Sequence, residues 1–134
     1  EVTEEVLRQT LERCAAYFTL VDGQPQISEE FLLPKVEHYN YDFYAGLAYT
    51  FDLRRPVGSR VVRLTKLDGS PLENGKFRLC TSNYRATGTG GYEILRKCPV
   101  LWRGGTEMPD LTARYIQAHS PMPQLHNVEM RVIW

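Results

Sequence analysis

Leu47-Ala48-Tyr49-Thr50-Phe51-Asp52-Leu53 is the segment that commits this chain to a sheet, because Leu47, Tyr49, Phe51 and Leu53 alternate with Ala48, Thr50 and Asp52. A period of two sets the large apolar side chains on one face of an extended strand and the smaller or more polar ones on the other. Downstream, Arg54-Arg55-Pro56-Val57-Gly58 spells a turn into a second strand near residues 60–67. Asp68-Gly69-Ser70-Pro71 turns the chain again toward residues 76–81, where Lys-Phe-Arg-Leu-Cys-Thr alternates once more. Connections this short predict antiparallel neighbours. The tail, residues 128–134, alternates as well and reads as a closing strand.

Helical spacing appears on both sides of these strands. Thr3 can cap a helix whose first turn carries Glu4 and Glu5, and Leu7, Leu11, Cys14 and Phe18 then recur on one face, which predicts a helix over residues 3–18. Val21-Asp22-Gly23-Gln24-Pro25 breaks it, and Phe31-Leu32-Leu33-Pro34 reads as an irregular crossing. A short helix is expected over residues 93–97, and Pro109, Leu111, Tyr115 and Ala118 support another that ends near His119, before Pro121 and Pro123. The fold class expected is therefore α+β, a mixed and largely antiparallel sheet packed against helices, with residues 1–134 forming a single domain.

Composition narrows the function. The 134 residues are 43% hydrophobic, enough for one domain with a real core. Sixteen Lys plus Arg balance sixteen Asp plus Glu, so nothing draws the chain generally to nucleic-acid polymers or to anionic membranes. Arg54, Arg55, Arg60, Arg63 and Lys66 form a locally basic run that reads either as a phosphate-facing patch or as the solvated face of a strand and its turn. No apolar run approaches the roughly 20 residues that span a bilayer. No signal-peptide pattern opens the sequence, and its first residue, Glu1 rather than Met, is expected of a processed product or of a piece of a longer chain.

Cys14, Cys80 and Cys98 allow at most one disulfide and contain no Cys-x-x-Cys pair. His38, His119 and His126 lack metal-ligand spacing, and neither a His-Glu-x-x-His, a Gly-x-Ser-x-Gly nor a Walker-type loop occurs. No catalytic residue and no metal ligand is therefore nominated in this chain. Gly88-Thr89-Gly90 opens like a dinucleotide fingerprint, but Glu93 occupies the place of the third glycine.

The chemistry-bearing segment is Asn83-Tyr84-Arg85-Ala86-Thr87-Gly88-Thr89-Gly90-Gly91-Tyr92. Three glycines in four positions are costly unless the backbone needs positive φ or a very close approach. Such a loop either only connects a strand to a helix or binds a ligand. Tyr84 reads two ways: as a ring packed into the core with its hydroxyl bonded, or as a platform on which a base stacks, worth roughly 1 to 3 kcal/mol. Tyr92 reads as structural.

Taken with Phe31-Leu32-Leu33-Pro34-Lys35-Val36-Glu37-His38-Tyr39-Asn40-Tyr41-Asp42 and Pro56-Val57-Gly58-Ser59-Arg60, that loop resembles the C-terminal domain of bacterial 5'-nucleotidases, above all their 2',3'-cyclic-nucleotide 2'-phosphodiesterase/3'-nucleotidase branch. The resemblance runs from the first helix through the glycine loop. It implies a two-domain hydrolase, secreted, periplasmic or attached to the cell wall, in which an N-terminal metallophosphoesterase domain holds two divalent metal ions and cleaves the substrate. The C-terminal domain of the family clamps the base between two aromatic rings and rotates to carry it to the metals.

Tyr84 matches the second ring of that clamp; the first ring, with the arginine and asparagine that hold sugar and phosphate, is expected upstream of the first helix. Asn83, Arg85, Gly88 and Gly90 are the other substrate-binding candidates. Gly90 stands where many simple 5'-nucleotidases carry an aspartate for the free ribose hydroxyls, which fits a cyclic substrate better. None of Asp-x-His, Gly-Asn-His-Glu or Gly-His-x-His occurs, so phosphoester hydrolysis by these residues alone is not expected. The expected partners are a small-molecule nucleotide and the metallophosphoesterase domain of the same polypeptide. Two rival readings are a non-catalytic module that attaches a larger secreted protein to a surface or partner, and a free-standing enzyme that uses Cys80 or Cys98 with a histidine.

Overall fold

The computed structural model describes residues 1–73, 75–124 and 128–134. In chain order the elements are β1 (Val2–Thr3), α1 (Glu4–Ala15), β2 (Phe18–Val21), β3 (Gln24–Ile27), β4 (Leu47–Asp52), β5 (Val61–Lys66), β6 (Lys76–Phe77), α2 (Asn83–Ala86), α3 (Met108–His119) and β7 (Glu129–Ile133). Single 3-10 turns cover Glu29–Phe31, His38–Asn40 and Glu93–Lys97. The α+β class and the mixed, largely antiparallel pairing are as the sequence led us to expect.

Thr3 caps α1 as its position suggested, its hydroxyl accepting from the Val6 amide at 3.3 Å. Leu7, Leu11, Cys14 and Ala15 line the buried face of the helix. That face meets the three-stranded sheet, whose order is β5-β4-β7. Glu12 joins the two layers. Its carboxylate accepts from the backbone amides of Arg60 at 2.9 Å and Val61 at 2.7 Å, where β5 begins. Arg60 answers by donating through Nη1 to the carbonyls of Ala15 at 2.9 Å and Phe18 at 2.6 Å, so the end of α1 is satisfied by a buried guanidinium.

The sheet differs from expectation in three respects. First, β4 is buried on both faces, Ala48 and Asp52 included, because it is the central strand and runs antiparallel to β5 but parallel to β7. Second, the strand expected over residues 76–81 pairs for only two residues, and with β1 rather than with the main sheet. Third, α1 stops at Ala15, and the chain makes a hairpin instead of continuing to residue 18. Asp22 and Gly23 both take positive φ, 51° and 71°, the backbone of a two-residue turn between β2 and β3.

Tyr49, Phe51, Leu11 and Tyr92 are all at or below 1% exposure and belong to one core cluster with Cys14 and Leu64; Phe31 is equally buried, against Tyr17 and Arg13. Helix α3 starts with Pro109 in its first turn, as read, yet none of its residues is buried. Leu111, Tyr115 and Ile116 remain open to solvent, as does Trp102 on the approach to the helix.

Candidate functional site

The glycine loop follows α2, a single turn capped by Ser82, whose hydroxyl accepts from the Arg85 amide at 3.3 Å. On so short a helix two consecutive residues point to different sides, and here the difference separates two jobs. Tyr84 is 42% exposed, while Arg85 is 5% exposed. Tyr84 is not sealed in the core, and its hydroxyl only reaches Asn40 Oδ1 at 3.5 Å. Part of the residue is accessible to a solute.

Arg85 points inward and is fully engaged. Nε and Nη2 hold the two carboxylate oxygens of Asp42 at 2.6 and 2.9 Å; Nη2 also donates to the Tyr39 carbonyl at 2.7 Å. Nη1 donates to Asn40 Oδ1 at 3.0 Å and to the Thr89 carbonyl at 3.4 Å. A guanidinium has five N–H groups, and these five contacts use them. The group lies 4.5 Å from the Tyr92 ring centroid and 5.2 Å from that of Tyr84, within cation–π range of both phenols. A donor expected to face a ligand is therefore an internal post.

The loop itself needs its glycines. Gly88, Gly90 and Gly91 have φ of 87°, 81° and 89°. Gly88 is buried, and a Cβ there would sit 3.0 Å from Glu93 Cα. A Cβ on Gly90 would come to 2.5 Å from Arg85 Nη1 and also meet the Asn40 amide; one on Gly91 would run into the Arg13 guanidinium. Arg13 Nε donates to the Gly90 carbonyl at 3.0 Å, its Nη1 pairs with Glu30 at 2.5 Å, and its guanidinium lies 4.3 Å from the Phe31 ring centroid.

Of the residues nominated from sequence, Asn83 and Tyr84 face solvent together, while Arg85, Gly88 and Gly90 shape the loop from within. Tyr39 was missed. It is exposed, its carbonyl is tied to Arg85, and Lys35 Nζ lies 5.6 Å from its ring centroid. Its signal was present in the sequence as an aromatic three residues before Asp42, but only the fold brings that segment to Arg85.

Behind the loop the environment is apolar. Tyr92 donates to the Asn40 carbonyl at 3.1 Å and lies 3.2 Å from Cys14 Sγ; burial pushes its phenol well above the usual range and pushes the Cys14 thiol up to about 11. His38 Nδ1 meets the Tyr17 hydroxyl at 2.9 Å and His119 stacks on Tyr115 at 4.1 Å; His126 lies outside the described residues. Among the described residues no hydrogen bond joins a cysteine to a histidine, and no group of three or more His, Cys, Asp or Glu side chains could hold a metal ion. The donor set for the two metals that the family resemblance implies is thus not offered by these residues. Among them, too, no helix is long and apolar enough to cross a membrane.

The profile of the family "5'-nucleotidase, C-terminal domain" matches residues 1–97. The chain belongs to this family. A relative, the trifunctional nucleotide phosphoesterase protein YfkN of Bacillus subtilis (strain 168), is 25% identical over 129 residues, which cover 87% of this chain and 9% of that protein. The 2',3'-cyclic-nucleotide 2'-phosphodiesterase/3'-nucleotidase of Haemophilus influenzae (strain ATCC 51907 / DSM 11121 / KW20 / Rd) is 29% identical over 139 residues, covering 90% of this chain and 20% of that protein. A crystal structure from Staphylococcus aureus, of a protein provisionally assigned as a 5'-nucleotidase and in complex with alpha-ketoglutarate, superposes with a TM-score of 0.93 at 30% identity, over 99% of this chain and 26% of that one. This 5'-nucleotidase C-terminal domain thus spans between 9% and 26% of the length of each relative.

Proposed function

We propose that this domain binds the nucleotide for a metal-dependent phosphohydrolase, with the Tyr84 ring stacking on the base and Asn83 beside it. The observation that carries the reading is the split at α2: Tyr84 is held open to solvent while its neighbour Arg85 is locked inside. A fixed, exposed ring loses little freedom on binding, and stacking accepts any base. The relatives named for nucleotide and cyclic-nucleotide hydrolysis support the substrate class.

The substrates are 2',3'-cyclic nucleotides and 3'- or 5'-nucleotides. Gly90 bears no carboxylate, and the space a side chain would need is filled by Arg85 and Asn40, so no acceptor for two free ribose hydroxyls stands there. A cyclic 2',3'-phosphate has none to satisfy. Bond cleavage belongs to an N-terminal metallophosphoesterase domain of the same polypeptide, where two divalent ions would activate water. The protein would work outside the cytoplasm, secreted, periplasmic or attached to the cell wall.

The test is Tyr84→Ala in the full-length natural polypeptide. Loss of one stacking contact raises KM for a 2',3'-cyclic nucleotide by about tenfold and leaves kcat nearly unchanged, since the contact is equal in ground and transition states. An unaltered KM would overturn the stacking role.

A further inference from the structure

We infer that Arg13 and Arg85 are a matched pair of positioning residues for the base-binding ring; the inference rests on the nucleotide-binding reading above. The two are built alike. Each guanidinium is neutralised by one carboxylate, Arg85 by Asp42 and Arg13 by Glu30. Each lies on one aromatic ring of the interior, Arg85 on Tyr92 at 4.5 Å and Arg13 on Phe31 at 4.3 Å. Each donates to a carbonyl of the same loop, Arg85 to Thr89 at 3.4 Å and Arg13 to Gly90 at 3.0 Å.

Consecutive carbonyls are thus gripped from two elements, α1 and α2, and the loop has little freedom left. Glycine at positions 90 and 91 fits this grip, because a side chain on either would occupy the volume of one of the two guanidiniums, and both residues have positive φ besides. The loop returns to Tyr84 through backbone. The Thr89 amide donates to the Tyr84 carbonyl at 3.3 Å, and the Thr87 hydroxyl donates to that carbonyl at 2.9 Å. Fixing residues 89 and 90 therefore fixes the residue that carries the ring. Arg13 lies 71 positions before Tyr84 in sequence and never touches its ring; it acts only through the loop.

Arg13→Met in the full-length natural polypeptide removes the grip on Gly90 while keeping an apolar stem over Phe31. KM for a 2',3'-cyclic nucleotide should rise about tenfold with kcat within about twofold, because a loosened ring loses binding that is equal in ground and transition states. Ribose 5-phosphate, which has no base, should be hydrolysed with parallel kinetics by variant and parent. Arg13→Lys, which restores charge but not the directed Nε donor, should rescue only part of the loss. A general structural defect would depress both substrates together and would overturn the inference. So would an unchanged nucleotide KM in Arg13→Met alongside a raised one in Tyr84→Ala, which leaves the stacking reading intact. An unchanged KM in Tyr84→Ala would instead remove the reading on which the inference stands. Asp42→Asn, which weakens the grip of Arg85 without removing it, should shift the nucleotide KM in the same direction; no shift there limits the effect to fold stability and also overturns the pairing.

Discussion

Arg85 grips Asp42 with two parallel hydrogen bonds, Nε to Oδ2 at 2.6 Å and Nη2 to Oδ1 at 2.9 Å, across 43 residues of sequence. The arginine side chain keeps 6% of its surface exposed and the aspartate 30%, so water screens the pair from one side only. Removing the acid leaves a buried guanidinium without its counter-charge, at a cost of about 3 kcal/mol in a site this enclosed. Asp42→Ala should lower the urea midpoint accordingly, and Arg85→Met combined with it should recover part of the loss. A midpoint that stays put in Asp42→Ala would mean the pair is replaced by solvent without penalty.

Gly90 and Gly46 share nearly the same backbone, φ of 81° and 87°, but a Cβ at Gly46 would meet nothing within 4 Å. Alanine at Gly46 should therefore show only the cost of a left-handed backbone, about 1 kcal/mol. At Gly90 the collision with Arg85 and Asn40 adds to it, and we expect a total of about 3 kcal/mol. Equal losses in thermal melts of the two variants would remove the argument that Arg85 reserves that space.

Glu12 holds two backbone amides at the start of β5, so Glu12→Ala leaves both without their acceptor. Each buried unsatisfied amide costs about 1 to 3 kcal/mol, whereas Glu12→Gln retains one acceptor oxygen and should lose roughly half as much. Chemical denaturation of the two variants checks the order; a glutamine variant no better than alanine contradicts it.

Alkaline conditions should weaken the fold through groups that burial keeps neutral. Burial moves the Cys14 thiol from an ordinary 9.0 up to about 11, and it raises the phenols of Tyr41, Tyr44 and Tyr92 as well. Above pH 9 the unfolded chain releases the thiol proton while the folded chain keeps it, so the folded state binds more protons and stability falls as pH rises. The stabilisation from Cys14 is complete below 9.0 and is lost through about 11. Urea midpoints measured at intervals across that window should decline steadily. At pH 8 iodoacetamide should label exposed Cys80 and spare buried Cys14; rapid labelling of Cys14 in the native protein would contradict its burial.

What the sequence disclosed was mainly local. The Thr3 cap, the position of β4 and the turn at residues 54–58 each rest on a few neighbouring side chains, and each is where it was expected, although β4 is buried on both faces. The pairing of β4 with β7 joins Ala48 to Glu129, and no pattern within either strand specifies a parallel partner so far away. The Asp22-Gly23 hairpin was legible but was read as a helix stop, because the flanking strands are short and one contains Pro25. In the site, Tyr84 takes the exposed one of the two placements its sequence allowed. The engagement of Arg85 was not legible, since it depends on Asp42, Asn40 and Tyr39, which reach it only through tertiary contact.

The freestanding α3 carries one more implication. Twelve residues that lean on no core are near the length at which a helix barely holds itself together in water. In heavy water its amides should take up deuterium well before those of Leu7 and Leu11, which share the same helical geometry but lie under the sheet. Slow uptake along Met108–His119 in the full-length polypeptide would betray a further body resting against it.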